Sequence, residues 1–331
     1  TEFVMTIEAV VVVGLGNIAN RHRKNIRRLY PSAKVTAVSA SGRIPGEPIM
    51  FSDSVVAHLE DVDDEIFDLA IVASPSSLHA QHSIQLIAKG IPTIIEKPIA
   101  SNLDDATSIL ASIEKYGTRV AIGYCLRFLP SIAILREILS RGGIGEILSI
   151  NLEAGQYLPD WRPSKDFEKC VSANKALGGG ALLELSHELD YFNWLFGDLK
   201  VEYARLRSSN ELNLDVEDTV DIYGFSSIND ASVSIHLDFI QRQPRRKCSV
   251  VGSFGAMDLD LIKNELSLSV DGKEEIVFSD PYWDKNNMYV DFLREFTDGN
   301  GDDQKLTSAE EAMIVVRLIE LIKSKFITTN Y

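Results

Sequence analysis

At 331 residues the chain exceeds what one hydrophobic core comfortably serves, so two domains are expected. Apolar residues make up 45% and charged residues 24%, and the net charge of -15, with no long run of Lys or Arg, excludes nucleic acid and anionic membrane surfaces as partners. Cys125, Cys170 and Cys248 are odd in number and widely spaced, which fits neither a disulfide framework nor a zinc pattern; reduced thiols in a cytoplasmic protein, and no metal, are expected.

Thr1–Val4, ahead of Met5, are set aside as foreign to the fold. The apolar run Ala9–Val13 lacks a cationic flank and ends in a glycine turn, so it reads as a strand and not as a signal peptide. No apolar stretch approaches the ~20 residues of a membrane span. Short Val/Ile-rich runs predict strands at Glu8–Val13, Lys34–Val38, Leu69–Ala73, Thr93–Ile95 and Arg119–Ile122. Helical periodicity predicts Ile18–Leu29, His79–Lys89 and Asp104–Tyr116 between them, with Asn102 as the N-cap of the last. This alternation predicts a doubly wound parallel sheet of Rossmann type over residues 1–123.

From residue 124 to 331 the pattern changes. A helix over Ser131–Ser140 and a strand over Ile147–Glu153 lead into an irregular Pro/Trp-rich stretch, Gln156–Ser172. Gly178-Gly179-Gly180 opens a helix of about 15 residues closed by Gly197. Beyond it Val233, Ile235, Leu237 and Phe239 alternate with Ser232, Ser234, His236 and Asp238, which predicts an antiparallel sheet with one packed and one polar face. Thr307-Ser308-Ala309-Glu310 reads as a capping box opening a last helix, Ala309–Phe326.

Three segments carry chemistry. Gly14-Leu15-Gly16-Asn17-Ile18-Ala19 links the first strand to the first helix and matches the dinucleotide fingerprint with Ala in the third glycine place. The second strand ends in Val38-Ser39-Ala40-Ser41-Gly42-Arg43, with no carboxylate for a ribose 2′-hydroxyl; Ser41 and Arg43 suit a 2′-phosphate, so NADP is expected over NAD. Glu96-Lys97-Pro98 places a lysine at the carboxyl edge of an apolar strand, where open α/β sheets bind ligands, and Pro98 forces a turn that a cis peptide would also suit. An isolated Lys-Pro reads more simply as a surface turn; the glycine turn upstream and the histidine downstream change that reading.

On one continuous helix Glu184, His187 and Asp190 would be successive i, i+3 neighbours, with His187 suited to accept a proton near neutral pH and a solvated helix face as the plainer reading. In Tyr157-Leu158-Pro159-Asp160-Trp161-Arg162-Pro163, Trp161 offers a stacking face for a sugar and Arg162 a grip on a carboxylate or phosphate; a loop anchored by a buried Trp is the equally weighted alternative.

The Gly14–Ala19 turn, Ser74-Pro75 followed by His79, Glu96-Lys97-Pro98, Gly123-Tyr124 with Arg127-Phe128, and Gly178–Asp190 together resemble the glucose–fructose oxidoreductase / inositol dehydrogenase / rhizopine-catabolism (Gfo/Idh/MocA) family along the whole chain. The resemblance implies a Rossmann domain followed by an α/β domain with a large open, mostly antiparallel sheet, and an NAD(P)-dependent enzyme acting on hydroxyls of a sugar or polyol. It implies Lys97 beside the reacting hydroxyl and His187 as acid/base. It assigns Gly14, Gly16, Asn17, Ile18, Ser74, Pro75, His79 and Glu96 to the cofactor, and Tyr124 and Arg127 to the substrate with Trp161 and Arg162.

The family's second-domain motif carries an Asp four residues before the histidine, whereas this chain has Glu184 three before it, a shift of ~100° on a helix. Asp190 matches a family Asp. A homo-oligomer, dimer or tetramer, through the second sheet is also implied. Redox-assisted glycosidic cleavage, transhydrogenation with a cofactor that never leaves, and a regulatory dinucleotide-binding protein without turnover remain the alternatives.

Overall fold

The computed structural model describes residues 6–62, 66–161, 166–299, 303–325 and 328–330. Contacts divide the chain into two units, residues 1–125 with 286–317, and residues 126–285 with 318–331. The sequence reading assigns 286–317 to the second domain; in the structure that segment packs with the first unit.

In the first unit β1 (Ala9–Val13), β2 (Lys34–Val38), β3 (Ser54–Val56), β4 (Leu69–Val72), β5 (Thr93–Ile95) and β6 (Val120–Ile122) form one parallel sheet in the order β3-β2-β1-β4-β5-β6. Val10 to Val13 and Leu69 to Val72 are all 0% exposed. Successive strand residues point to opposite faces, so both faces are covered, which is why these strands read as unbroken apolar runs. The covering helices are α1 (Asn17–Leu29), α2 (His79–Ala88) and α3 (Leu103–Tyr116). Asn102 caps α3 as expected, its side-chain oxygen accepting from Asp105 N at 2.9 Å. The strand order reverses between β1 and β4, which places a ligand crevice outside their carboxyl ends.

The second unit begins with α4 (Pro130–Ser140) and β7 (Ile147–Gly155). The glycine-led segment folds as two helices, α5 (Ala181–Glu184) and α6 (His187–Phe196), in place of the single helix the sequence predicts. Leu185 leaves the helical range at φ -96°, ψ 24°, and α6 restarts from Ser186, ending at Gly197 with φ 75°. The strands β8 (Leu199–Ser208), β9 (Thr219–Ser226), β10 (Ser232–Asp238), β11 (Arg245–Gly252), β12 (Gly255–Asp260), β13 (Glu265–Val270) and β14 (Lys273–Ser279) follow.

With β15 (Thr328–Asn330) they form a nine-stranded, mostly antiparallel sheet, β14-β13-β12-β11-β7-β10-β9-β8-β15; only β7–β10 and β8–β15 pair parallel. Val233, Ile235 and Leu237 are buried on its inner face beside Ile150, Leu152 and Ala154, as the alternation predicts. Across the outer face Asp260, Lys247, Glu153, His236, Asp221 and Arg205 stand in register, alternating in charge from strand to strand.

The remaining helices are α7 (Asn287–Asp298), which the sequence reading lacks, and α8 (Ala309–Lys325). Asn286 Nδ2 donates to Asn25 Oδ1 at 2.8 Å, and the Tyr30 and Thr297 hydroxyls are 2.6 Å apart, so α7 returns to α1. The capping box opening α8 lies one residue later than predicted. Ser308 N donates to Glu311 Oε2 and Glu311 N to Ser308 Oγ, while the Thr307 carbonyl accepts from Ile122 N. The predicted helix end at Phe326 lies outside the described residues. No helix among the described residues is long and apolar enough to cross a membrane.

Candidate active site

In the first unit every predicted cofactor residue lies on a turn at the carboxyl end of a sheet strand or at the helix start that follows it. Gly14 has φ +120°, and a Cβ there would sit 2.5 Å from the Ala73 carbonyl oxygen; the first glycine is required both by its backbone and by the close approach of β4. Gly16 is exposed, with open space where a Cβ would stand, and is the N-cap of α1 without any side-chain cap. Exposed Asn17 and half-buried Ile18 open the helix, so its first N–H groups face the place where a pyrophosphate fits. These residues fit a dinucleotide.

Beyond β2 the Ser39 hydroxyl donates to the Arg43 carbonyl at 2.8 Å and shapes the loop that carries exposed Ser41 and Arg43. A cavity of about 210 Å³ opens beside it, lined among others by Ser39, Ser41, His58, Glu60, Gln81 and His82. Arg43 is not among its lining residues. His82 Nδ1 lies 3.0 Å from Ser74 Oγ, and burial holds its imidazole below the ordinary value. Pro75 follows Ser74 at the start of a short 3-10 turn. His79, expected at the cofactor, is 1% exposed; its ring nitrogens lie 2.9 Å from the Ser74 and Pro98 carbonyl oxygens, tying together the turns after β4 and β5. Burial presses its pKa down, against those two carbonyls.

Lys97 is half-buried and its peptide to Pro98 is cis. Behind it Glu96, 7% exposed, lies with Oε1 2.6 Å from His22 Nε2, while its Oε2 accepts from Lys97 N at 3.2 Å. Burial pushes the Glu96 carboxyl upward, but the His22 bond and the charges of His22 and Lys97 override it and the net shift is downward. A Cβ on Gly123 would stand 3.0 Å from Glu96 Oε2, so the Gly123-Tyr124 step leaves room for this carboxylate. Tyr124 itself is fully buried. Sequence reasoning missed His22, which lies on α1 well inside the helix; only the buried pairing identifies it.

In the second unit the helix break changes the expected row of titratable groups, which is a correction to the sequence reading. Glu184 ends α5 and its Oε2 accepts from Ser172 Oγ at 3.0 Å, whereas His187, half-buried, is the first residue of α6. Asp190 turns inward: Arg127 Nε and Nη2 donate to its two oxygens at 3.0 and 2.7 Å, both side chains being 1% exposed. Fully buried Glu188 accepts in the same bidentate manner from Arg246 at 2.6 and 2.8 Å. These two pairs anchor the helix that begins with His187.

The segment start is held by Glu217, whose Oε1 accepts from Leu182 N at 3.1 Å and whose carboxyl is raised by burial. Trp161 is half-buried, edge-on to Phe239 at 5.4 Å, and its indole Nε1 finds no hydrogen-bond partner among the described residues. Arg162 lies outside the described residues. Glu188, Arg246 and Glu217 carried no signal that marked them beforehand, since their partners are distant in sequence.

Comparison with known proteins identifies the family. The profile described as the oxidoreductase family with an NAD-binding Rossmann fold, GFO_IDH_MocA, matches residues 9–124, and that of the GFO/IDH/MocA C-terminal domain matches 132–258. The rhizopine catabolism protein MocA of Rhizobium meliloti is 26% identical over 198 residues, which is 58% of this chain and 58% of that protein. Inositol 2-dehydrogenase 1 of Saccharopolyspora erythraea is 27% identical over 269 residues, 78% of this chain and 75% of that enzyme. A levoglucosan dehydrogenase in complex with NADH has the same fold, with TM-score 0.79 and 17% identity over 96% of both chains.

Proposed function

We propose, from the premise that this chain belongs to the GFO/IDH/MocA family of oxidoreductases, that it moves a hydride between a nicotinamide dinucleotide and a secondary hydroxyl or ketone of a sugar, polyol or sugar derivative. The observation that carries this reading is the Lys97 turn: a half-buried lysine at the carboxyl end of β5, in the same parallel sheet as the glycine turn, braced by Glu96 and His79. The names of the relatives supply the class of substrate.

A bound nicotinamide ring supplies the hydride acceptor or donor. Gly14, Gly16 and the start of α1 hold the pyrophosphate, with Asn17, Ile18, Ser74 and Pro75 along the same edge. The Lys97 ammonium stabilises negative charge as it develops on the substrate oxygen. His187 takes the hydroxyl proton in oxidation and returns it in reduction. Glu184 and Trp161 border the substrate. Arg127 and Asp190 serve through each other, fixing α6, and Tyr124 serves through packing.

NADP is the cofactor this reading favours, because the loop after β2 offers hydroxyls, two nearby imidazoles and Arg43, and no carboxylate of its own. Glu60 faces the same cavity from another element, so the preference is a matter for titration. The protein is read as cytoplasmic, with Cys125, Cys170 and Cys248 outside any disulfide, and as a dimer or tetramer joined through the nine-stranded sheet. Light scattering gives the oligomeric state.

The deciding experiment titrates NADPH and NADH separately into folded, cofactor-free protein by tryptophan fluorescence and calorimetry, then screens sugars, polyols and their derivatives for reduced-cofactor absorbance. Tighter NADPH binding followed by turnover is expected. Preference for NADH overturns the 2′-phosphate assignment alone. Binding without turnover across the panel overturns the dehydrogenase reading.

A further inference from the structure

Two neighbouring residues of α1 reach the two turns that carry the site of the first unit. Arg23 Nη1 donates to the Gly14 carbonyl at 3.0 Å and so grips the glycine turn. His22 lies with Nε2 2.6 Å from Glu96 Oε1, on the turn that delivers Lys97. Both residues are 2% exposed. Packing alone would be served by an apolar side chain at position 22, whereas a buried imidazole and a buried carboxylate are tolerated when each satisfies the other.

Burial drives a carboxyl toward its neutral form. For Glu96 burial is the largest single influence. The bond from His22, the charges of His22 and Lys97, and the Lys97 N–H together outweigh it. A carboxylate carries no proton, so the proton of the 2.6 Å contact sits on Nε2. His22 Nδ1 has no hydrogen-bond partner among the described residues, so the ring acts through Glu96. The Glu96 charge is also felt by His79 at the start of α2 and by Tyr289 on α7, which lies edge-on to His22 at 6.0 Å.

We propose that His22 is a positioning residue of the Lys97 site: its bond keeps a charged carboxylate behind the lysine, and that carboxylate fixes Lys97 against the substrate oxygen. The proposal rests on the oxidoreductase reading for what Lys97 does, but not for the state of Glu96. Without His22 the largest influence opposing burial is gone. Glu96 then takes up a proton within the range in which the wild-type group stays charged. A neutral carboxyl accepts the Lys97 N–H more weakly and no longer attracts the ammonium. The loss therefore deepens as the pH falls and is repaired as it rises, which a ring that merely filled space would not produce.

The test follows the Glu96 carboxyl directly, by carbon-13 NMR of the full chain labelled at the glutamate side-chain carboxyl, with Glu96→Gln identifying the signal. Between pH 5.5 and pH 8 the wild-type group is expected to remain a carboxylate, and in His22→Phe to take up a proton toward the lower end. Turnover in His22→Phe, taken as a ratio to wild type at each pH, is expected to fall roughly tenfold at pH 6 and to recover toward pH 8. KM and calorimetric dinucleotide affinity are expected to change little. His22→Gln, whose amide N–H donates in place of Nε2, is expected to restore both the titration and the rate. The double variant His22→Phe/Glu96→Gln is expected to be no slower than Glu96→Gln, since His22 acts through Glu96.

A Glu96 carboxyl that protonates within this range in the wild type, or stays charged in His22→Phe, overturns the proposal whatever the rates. So does a loss of turnover that is the same at every pH, or a double variant slower than Glu96→Gln. The wild-type titration tests the proposal even where His22→Phe does not fold. If the wild type binds dinucleotide and turns nothing over, the oxidoreductase reading falls while the titration still decides whether His22 holds Glu96 charged. If sugars turn over and His22→Phe leaves the titration unchanged, the proposal falls and the oxidoreductase reading stands.

Discussion

The turns at the edge of the parallel sheet and the glycine-led segment of the second unit hold their reactive side chains by different physics. Around Lys97 the backbone does most of the work: a strand end, a proline, carbonyls joined through His79, and glycines where β4 and Glu96 come close. Around His187 charge does it: Arg127 on Asp190, Arg246 on Glu188, and Glu217 at the start of α5. Backbone positioning follows from rules that local sequence states openly, through Gly, Pro and strand periodicity. Positioning by buried ion pairs depends on partners distant in sequence, as in Arg127 with Asp190 and Arg246 with Glu188.

If both devices serve one reaction, removing either side chain they deliver has the largest effect of any substitution here. Lys97→Ala and His187→Ala are each expected to lower turnover by ~10²–10⁴, the usual range for positioned acid/base and charge-stabilising groups, with dinucleotide affinity largely kept. Steady-state rates beside a calorimetric cofactor titration check this. Near-wild-type turnover in His187→Ala would remove the histidine from the chemistry and leave the second unit with a binding role only.

The next effect is on stability and separates the two devices directly. Arg127→Leu leaves Asp190 charged and buried without its bidentate partner, which typically costs ~3–5 kcal/mol. The double variant Arg127→Leu/Asp190→Leu is expected to recover much of that loss, because paired burial of two charges contributes little net stability over apolar packing. Urea unfolding of the full chain measures both. A double variant no more stable than Arg127→Leu would mean that the pair fixes α6 through more than its own charges.

This division also describes what could be read from the sequence. The five long-predicted strands of the parallel sheet, α1 to α3, the Asn102 cap and the inner-face alternation of β10 all follow from periodicity and turn chemistry. The break at Leu185 does not. Residues 181–196 carry a helical pattern throughout, and the arginines that hold Glu188 and Asp190 beyond the break are distant in sequence. The same applies to α7, whose place beside α1 depends on Asn25 and Tyr30, and to the capping box, where Thr307 is drawn into a bond with Ile122 and Ser308 takes the cap.

A smaller substitution tests whether the backbone device is as local as it reads. Asn102→Ala removes the acceptor for Asp105 N at the start of α3, a loss of about 1 kcal/mol by the usual worth of an N-cap, and Asn102→Ser should restore most of it. Thermal unfolding resolves the difference. A cost several times larger would show that the turn after Pro98 and the start of α3 behave as one cooperative piece.

The smallest effect belongs to the outer face of the large sheet, where charge again does the positioning, now within reach of water. His236 bridges Asp221 at 2.7 Å and Asp238 at 3.0 Å. Its pKa is raised to about 9, first by the bond with Asp238 and, against burial, by the bond with Asp221. Glu153 stands beside it in register, with Lys247 and Arg205 further along the same row. A value raised above the ordinary ~6.5 of an unfolded histidine means that the folded state holds its proton more tightly. The stabilisation is therefore complete below about pH 6.5 and disappears as the pH rises through about 9. Because 38% of the side chain is exposed, solvent screening keeps the contribution below about 1 kcal/mol. Urea midpoints for wild type and His236→Gln at pH 6 and pH 9.5 are expected to differ at the lower pH and converge at the higher. Parallel pH dependence in the two proteins would mean that Asp221 and Asp238 are held by the rest of the charge row, and that the imidazole follows their arrangement instead of setting it.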